Sequence, residues 1–175
     1  MDKLSFYTLD PAYIQFLKLE EAKQRGFSRV PNMDYGPNHK AKFLCGIVLR
    51  VNDLDYYVPV TSYKEQKPDN FLIHAANGAV VSSLRFNYMF PVPLAMVAER
   101  MIAAEPDRAY RSLLAQELLY CNKNREEIQK RAARTYRRVL LGKDPGLVVN
   151  SCAFAFLEEK CREWASTHPG AYIHK

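Results

Sequence analysis

The chain has 175 residues, 48% hydrophobic and 25% charged, enough apolar material for one well-filled core and too much for a disordered or fibrous chain. Lys and Arg number 25 against 19 Asp and Glu, a formal net charge of +6; this biases the surface towards polyanions, because phosphate contacts release condensed counterions, although a plain soluble basic surface has the same balance. Cys45, Cys121, Cys152 and Cys161 are widely spaced with no Cys-x-x-Cys, which argues against a zinc site and for free thiols in a reducing compartment. Charged residues interrupt the N-terminus, and no run approaches the roughly 20 apolar residues of a membrane span, so a cytoplasmic location without a membrane partner is expected.

In chain order, residues 3–8 alternate aromatics and read as a short strand. Asp10 then caps a helix with Pro11 at its first turn, running to Gly26. Residues 30–39 are loop-like, with Pro31, Asn32, Gly36, Pro37 and Asn38. An apolar strand over 43–51 turns at Asn52-Asp53 into a partner over 54–60, and a polar loop covers 61–70. A second hairpin, 71–74 with 79–83, centres on Asn77-Gly78, and 84–92 reads as one further strand stopped by Pro91 and Pro93. The pattern from 94 to 141 is helical, with breaks near Glu105-Pro106 and Asn122; a last helix runs from Asn150 or Ser151 to about Ala165, and residues 166–175 form a frayed tail. With no repeats or linkers, this predicts one α+β domain over 1–175, strands mostly early and helices mostly late.

The chemistry concentrates at the end of the second long strand. Pro59-Val-Thr-Ser-Tyr-Lys64 puts the hydroxyls of Thr61 and Ser62 and the ammonium of Lys64 where a sheet holds them and solvent reaches them. The hydroxyls can donate to a phosphate and the lysine can add charge to it; on pattern alone the segment also reads as a polar turn with a solvated lysine. Lys42, two residues from Lys40, starts the first long strand, and pairing about Asn52-Asp53 sets Lys42 opposite Thr61, Ser62 or a near neighbour. That brings both lysine segments to one end of one sheet, although a lysine at such a place also guards an edge.

The order of Phe6-Tyr7-Thr8, Tyr13-Ile14, a lysine before Gly46-Ile-Val-Leu49, then Pro59-Val-Thr-Ser-x-Lys64, Leu84-Arg-Phe-Asn-Tyr-Met-Phe-Pro-Val92 and Phe156-Leu-Glu-Glu-Lys160 resembles the ToxN/AbiQ/CptN toxins over roughly residues 5–165. The resemblance implies a compact, highly twisted antiparallel sheet of the MazF/Kid partial-barrel kind, flanked by helices, with a mainly helical C-terminal half. It implies a sequence-selective, metal-independent endoribonuclease without cofactor. Cellular or phage mRNA is its substrate, and a small RNA antitoxin of pseudoknot repeats silences it in a cyclic protein–RNA hetero-oligomer. Carried over by position, Thr61, Ser62 and Lys64 match the catalytic loop and Lys42 the upstream lysine; Tyr35 matches a loop tyrosine, and the longer stretch 36–41 leaves Lys40 as a rival to Lys42.

In such a reaction the RNA 2′-hydroxyl attacks the adjacent phosphorus, and the protein orients the backbone, stabilises charge and moves two protons. A lysine at its ordinary pKa of about 10.4 is a poor base at neutral pH, so proton transfer falls to a depressed lysine, a tyrosine or water. The RNA path needs charge and stacking surfaces: Lys123, Arg125, Lys130 and Arg134 on a basic helix, with Arg85, His39 and Lys40, supply the charge, and Tyr13, Phe6, Tyr7 or Phe86 would supply rings. The basic helix equally suits plain solvation, and the rings suit a core. A His39–His74 acid–base pair is a further option. No acidic cluster suggests magnesium, and a non-catalytic RNA-binding module is the competing function.

Overall fold

In the computed structural model, residues 2–33 and 42–170 are described. Tyr35, His39 and Lys40, and the last five residues of the expected tail, lie outside them. The described elements, in order, are β1 (Ser5–Leu9), α1 (Pro11–Arg25), β2 (Leu44–Val51), β3 (Leu54–Thr61), β4 (Asn70–His74), β5 (Val80–Arg85), β6 (Phe90–Pro91), β7 (Val97–Glu99), α2 (Arg108–Lys123), α3 (Arg125–Leu141), α4 (Pro145–Val149) and α5 (Phe154–Thr167). Among the described residues the seven strands form one antiparallel sheet of order β4-β5-β3-β2-β1-β7, with β6 on β3. The expected α+β architecture is present.

Local chemistry explains the boundaries. Asp10 accepts from the Ala12 N–H at the start of α1 and Pro11 follows it; Gly26, at φ 81°, closes the helix in the left-handed region. Asn52 and Asp53 adopt φ 52° and 61°, the backbone of a two-residue hairpin turn. Val51 faces Leu54 across that turn, yet beyond it the pairing shifts. Gly46 faces Tyr57 and Leu49 faces Tyr56, so β2 advances three residues while β3 advances one. Leu44 therefore faces Pro59, and the Val60 N–H donates to the Phe43 carbonyl at 3.2 Å. Extending this register sets Lys42 against Thr61; without the bulge it would meet residue 63.

Three boundaries depart from the sequence reading. Residues 84–92 are not one strand. Arg85 ends β5, residues 86–88 form a 3-10 turn, and only Phe90 and Pro91 pair again, with Tyr57 and Tyr56 of β3. Prolines without an N–H limit that pairing, and the buried Asn87 turns its amide onto the Asn150 carbonyl at 2.7 Å. Residues 94–104 are not helical but comprise two 3-10 turns around β7. Val97 and Ala98 pair with Leu9 and Thr8, covering the otherwise open edge of β1. The α2–α3 break falls at Asn124, since Asn122 stays helical and spends its side chain on both backbone groups of Leu4. The last helix starts later than expected, at Phe154, after the short α4, and runs to Thr167.

Two buried carboxylates tie the helices to distant parts of the chain. Glu158 of α5 accepts from the hydroxyls of Tyr56 (2.8 Å) and Tyr136 (2.7 Å) and from the Asn52 amide (3.0 Å). Glu21 of α1 accepts from the Arg29 and Ala153 N–H groups and lies 3.5 Å from the Arg25 guanidinium. Around them one continuous apolar cluster takes residues from β1 through β6 and from α1, α2, α3 and α5. All four cysteines are free and buried. No single helix among the described residues is long and apolar enough to cross a membrane.

Candidate active site

At the end of the β2–β3 ladder remote from the Asn52-Asp53 turn lies a cleft of about 630 Å³. Lys42, Phe43, Thr61, Ser62, Ser82 and Glu117 contribute to its wall, with Arg29, Tyr88 and Tyr110 around them. The shifted β2–β3 register is what puts Lys42 beside the β3 terminus. Lys42 is exposed and its ammonium donates to the Asn32 carbonyl at 2.8 Å. Thr61 is half-buried as the last residue of β3; it pairs with Ser83 of β5, and the two hydroxyls are 3.2 Å apart. Ser62 is exposed at the cleft wall, just past the strand.

Lys64 is not itself part of that wall. It lies two residues beyond Ser62, a chain reach of at most about 7 Å, is exposed, and makes no hydrogen bond or ion pair among the described residues. The loop that carries it is nonetheless held. Arg85 lies 4.5 Å from the ring centres of both Tyr63, between Ser62 and Lys64, and Tyr88 of the cleft wall. At the loop's far end the buried Asn70 accepts from the Lys67 N–H and the Gln66 amide and donates to the Glu65 carbonyl. Arg131 and Arg134 of α3 then donate to the carbonyls of Asn70 and Pro68, each at 3.1 Å.

These contacts redistribute the expected RNA-binding set. Arg85 spends its guanidinium on two tyrosine faces and Arg134 spends a donor on the loop. Lys123, Arg125 and Lys130 line a separate hollow of about 560 Å³ at the α2–α3 junction, mixed in charge because Glu126 and Glu127 share it. Tyr13 requires a correction: it is 0% exposed, donates its hydroxyl to the Pro91 carbonyl and packs against Trp164, so no base reaches its ring. Phe6 and Phe86 are core residues as well, and Tyr7 packs edge-on against Tyr57. His74 meets the Gly78 carbonyl at 2.9 Å beside Tyr120 and is not among the cleft residues. Tyr35, His39 and Lys40 fall outside the described residues.

Sequence reasoning missed Ser82, Tyr88, Tyr110 and Glu117. Glu117 of α2 is 5% exposed and accepts from the Ser82 hydroxyl at 3.2 Å; burial pushes its carboxyl above the usual value of 4.5, against the lowering effects of Ser82 and Arg100. An acid among helical polar residues gives no sequence signal of burial. Among the described residues no group of three or more His, Cys, Asp or Glu side chains could hold a metal ion. The chemistry the cleft offers is that of hydroxyl donors and ammonium charge around an anion.

Fold and cleft together define a small basic α+β protein whose sheet end suits a phosphate backbone. The chain belongs to the ToxN toxin family of type III toxin–antitoxin systems, whose family model matches residues 5–162. It is 29% identical over 171 residues to the endoribonuclease ToxN of Pectobacterium atrosepticum, covering 92% of this chain and 94% of that protein. It is 24% identical over 168 residues to the endoribonuclease AbiQ of Lactococcus lactis subsp. lactis, covering 90% and 87%. A solved structure of a type III toxin–antitoxin system, in which a non-coding RNA pseudoknot inhibits the toxin, superposes with a TM-score of 0.81 at 24% identity, covering 93% of this chain and 98% of that one.

Proposed function

We propose that this chain is an endoribonuclease toxin that cuts RNA without a metal ion and is silenced by a small RNA. The observation that carries this reading is the convergence of Lys42, Thr61 and Ser62 on one cleft, with Lys64 on the adjoining loop, in a chain of the ToxN family. RNA supplies the nucleophile. Its 2′-oxygen bonds to the adjacent phosphorus, the bond to the 5′-oxygen breaks, and a 2′,3′-cyclic phosphate and a 5′-hydroxyl result. One proton leaves the 2′-hydroxyl and one arrives at the 5′-oxygen.

In this reading Thr61 and Ser62 donate to the phosphate oxygens. Lys64, with Lys42 or its neighbour Lys40, balances the growing charge and serves proton transfer, and Tyr35 assists from the loop. The 3.2 Å contact with Ser83 supports a fixed Thr61 hydroxyl, and the Arg85–Tyr63 stacking supports a held loop, both of which orientation needs. RNA reaches the cleft along basic groups that include His39, Lys40, Arg85, Lys123, Arg125, Lys130 and Arg134. The sheet is read as a twisted partial barrel like that of MazF/Kid, supported by β3 serving β6 and β5 in turn along one edge. The chain acts as one domain in the cytoplasm on cellular or phage mRNA, arresting growth and defending against phage by abortive infection. A repeated pseudoknot RNA holds it in a cyclic complex; a relative of the same fold comes from a system in which an RNA pseudoknot inhibits the toxin.

Purified protein incubated with RNA in EDTA tests this directly. The expected products carry 2′,3′-cyclic phosphate and 5′-hydroxyl ends. RNA retarded in a gel but intact would instead identify a non-catalytic RNA-binding module, and cutting that stops in EDTA would overturn metal independence.

A further inference from the structure

Among the described residues that line the cleft, Glu117 is the one carboxylate, and the cleavage reading does not use it. Glu117 shares its Oε1 with the Ser82 hydroxyl, while Oε2 accepts no hydrogen bond from any described residue. Glu117 itself lines the cleft. Phe43, Val60, Val81, Tyr88 and Tyr110 line the same space, with Arg29 and Lys42 also on its wall, and Arg100 acts on the carboxyl from nearby. A carboxyl in such a place costs stability unless something pairs with it. A cleft of about 630 Å³ is of small-ligand size.

We propose that this part of the cleft is a nucleobase pocket in which Glu117 accepts a hydrogen bond from the exocyclic amino group of one RNA base, admitting cytosine, adenine or guanine and refusing uracil. The inference rests on the RNA-cleaving reading above and deepens it by naming what sets its sequence choice. Proteins that read single-stranded RNA lay unstacked bases against aromatic side chains and hydrogen-bond their edges. Cytosine, adenine and guanine each offer an exocyclic amino donor, whereas uracil carries a carbonyl oxygen at the matching position 4 and its one edge donor, N3–H, lies in the ring and not where that amino group would reach. A carboxylate oxygen facing a carbonyl oxygen gains no hydrogen bond and repels it. Ser82 holds the acid by its other oxygen, which fixes the direction of the free one.

Two variants test this, Glu117→Leu, which removes the acceptor, and Glu117→Gln, which keeps the shape and one acceptor; both are checked for native fold by circular dichroism and melting. A randomised RNA pool is cut in EDTA and the new ends are sequenced. The wild type is expected to deplete uracil about tenfold or more at one position near the cut. Glu117→Leu should erase that depletion and Glu117→Gln retain part of it. An unchanged preference in Glu117→Leu overturns the proposal. So does residual cutting that is much slower but equally selective, which would make Glu117 an acid–base group. Titration with CMP and UMP, which differ only along the N3–C4 edge of the base (bare N3 and 4-amino against N3–H and 4-oxo), judges the pocket independently of cleavage. CMP should bind the wild type about tenfold more tightly and Glu117→Leu should bind both alike. Equal affinity in the wild type overturns the pocket, whereas a wild type that discriminates CMP from UMP but cuts no RNA overturns only the nuclease reading.

Discussion

Glu117 and Ser82 share a hydrogen bond in the cleft, and burial raises the carboxyl above its usual value of 4.5, against the lowering effects of Ser82 and Arg100. The folded chain then holds that proton more tightly than the unfolded chain. The contribution to stability is full below the ordinary value of 4.5 and is lost as pH rises through the raised folded value. Glu117→Gln removes this dependence. Melting curves between pH 4 and pH 8 should show the variant gaining on the wild type as pH rises; a pH-independent difference would mean that the carboxyl is not held away from solvent. Lys42, Thr61 and Ser62 were legible in the sequence because pairing about the Asn52-Asp53 turn brings their segments within about two residues of register and hydroxyls at a strand end are conspicuous; the bulge that sets the final register was not. Glu117 was not, because an acid in an amphipathic helix is ordinarily on its wet side. Tyr13 failed in the opposite sense: an aromatic suited to stacking a base is equally suited to a core, and only the fold decides.

At the scale of elements, the β2–β3 hairpin determines whether a cleft exists. Its register shift moves the partner of Lys42 from position 63 to Thr61, and it forms where Gly46 meets Tyr57. A Cβ on Gly46 would lie 2.4 Å from Cδ1 and 2.7 Å from Cε1 of the Tyr57 ring. That ring is buried and packed edge-on against Tyr7, so it cannot yield freely. Gly46→Ala should therefore destabilise the fold by about 1–3 kcal/mol, the usual cost of overpacking. Denaturant unfolding measures this, and an unchanged midpoint would show that the hairpin tolerates a side chain there. The turn, α1 and its caps were plain from local residue chemistry. Residues 94–104 were misread as helical because their apolar spacing fits a helix, whereas the open edge of β1, invisible in a linear pattern, draws Val97 and Ala98 into a strand.

At the scale of the molecule, the early-strand, late-helix division holds only approximately. β7 returns to β1 after more than half the chain, and α5 binds back to α1, β3 and the hairpin turn through Glu21 and Glu158. A buried acid with two tyrosine partners, Glu158, is a tertiary fact, since each hydroxyl left unpaired would cost about 1–3 kcal/mol, and nothing in local sequence announces the pairing. The loop after β3 depends on the same long-range packing: α3 and Arg85 hold the segment that carries Lys64.

The central claim is that Lys64 and Ser62 act on the scissile phosphate rather than merely attract RNA. Single-turnover cutting by Lys64→Ala and Ser62→Ala, measured beside RNA affinity, tests it most directly. Each variant should cut about 100-fold or more slowly, the usual loss of one charge-stabilising donor, while binding RNA within about tenfold of the wild type, as loss of one phosphate contact allows. Cutting by both variants at the wild-type rate would contradict it.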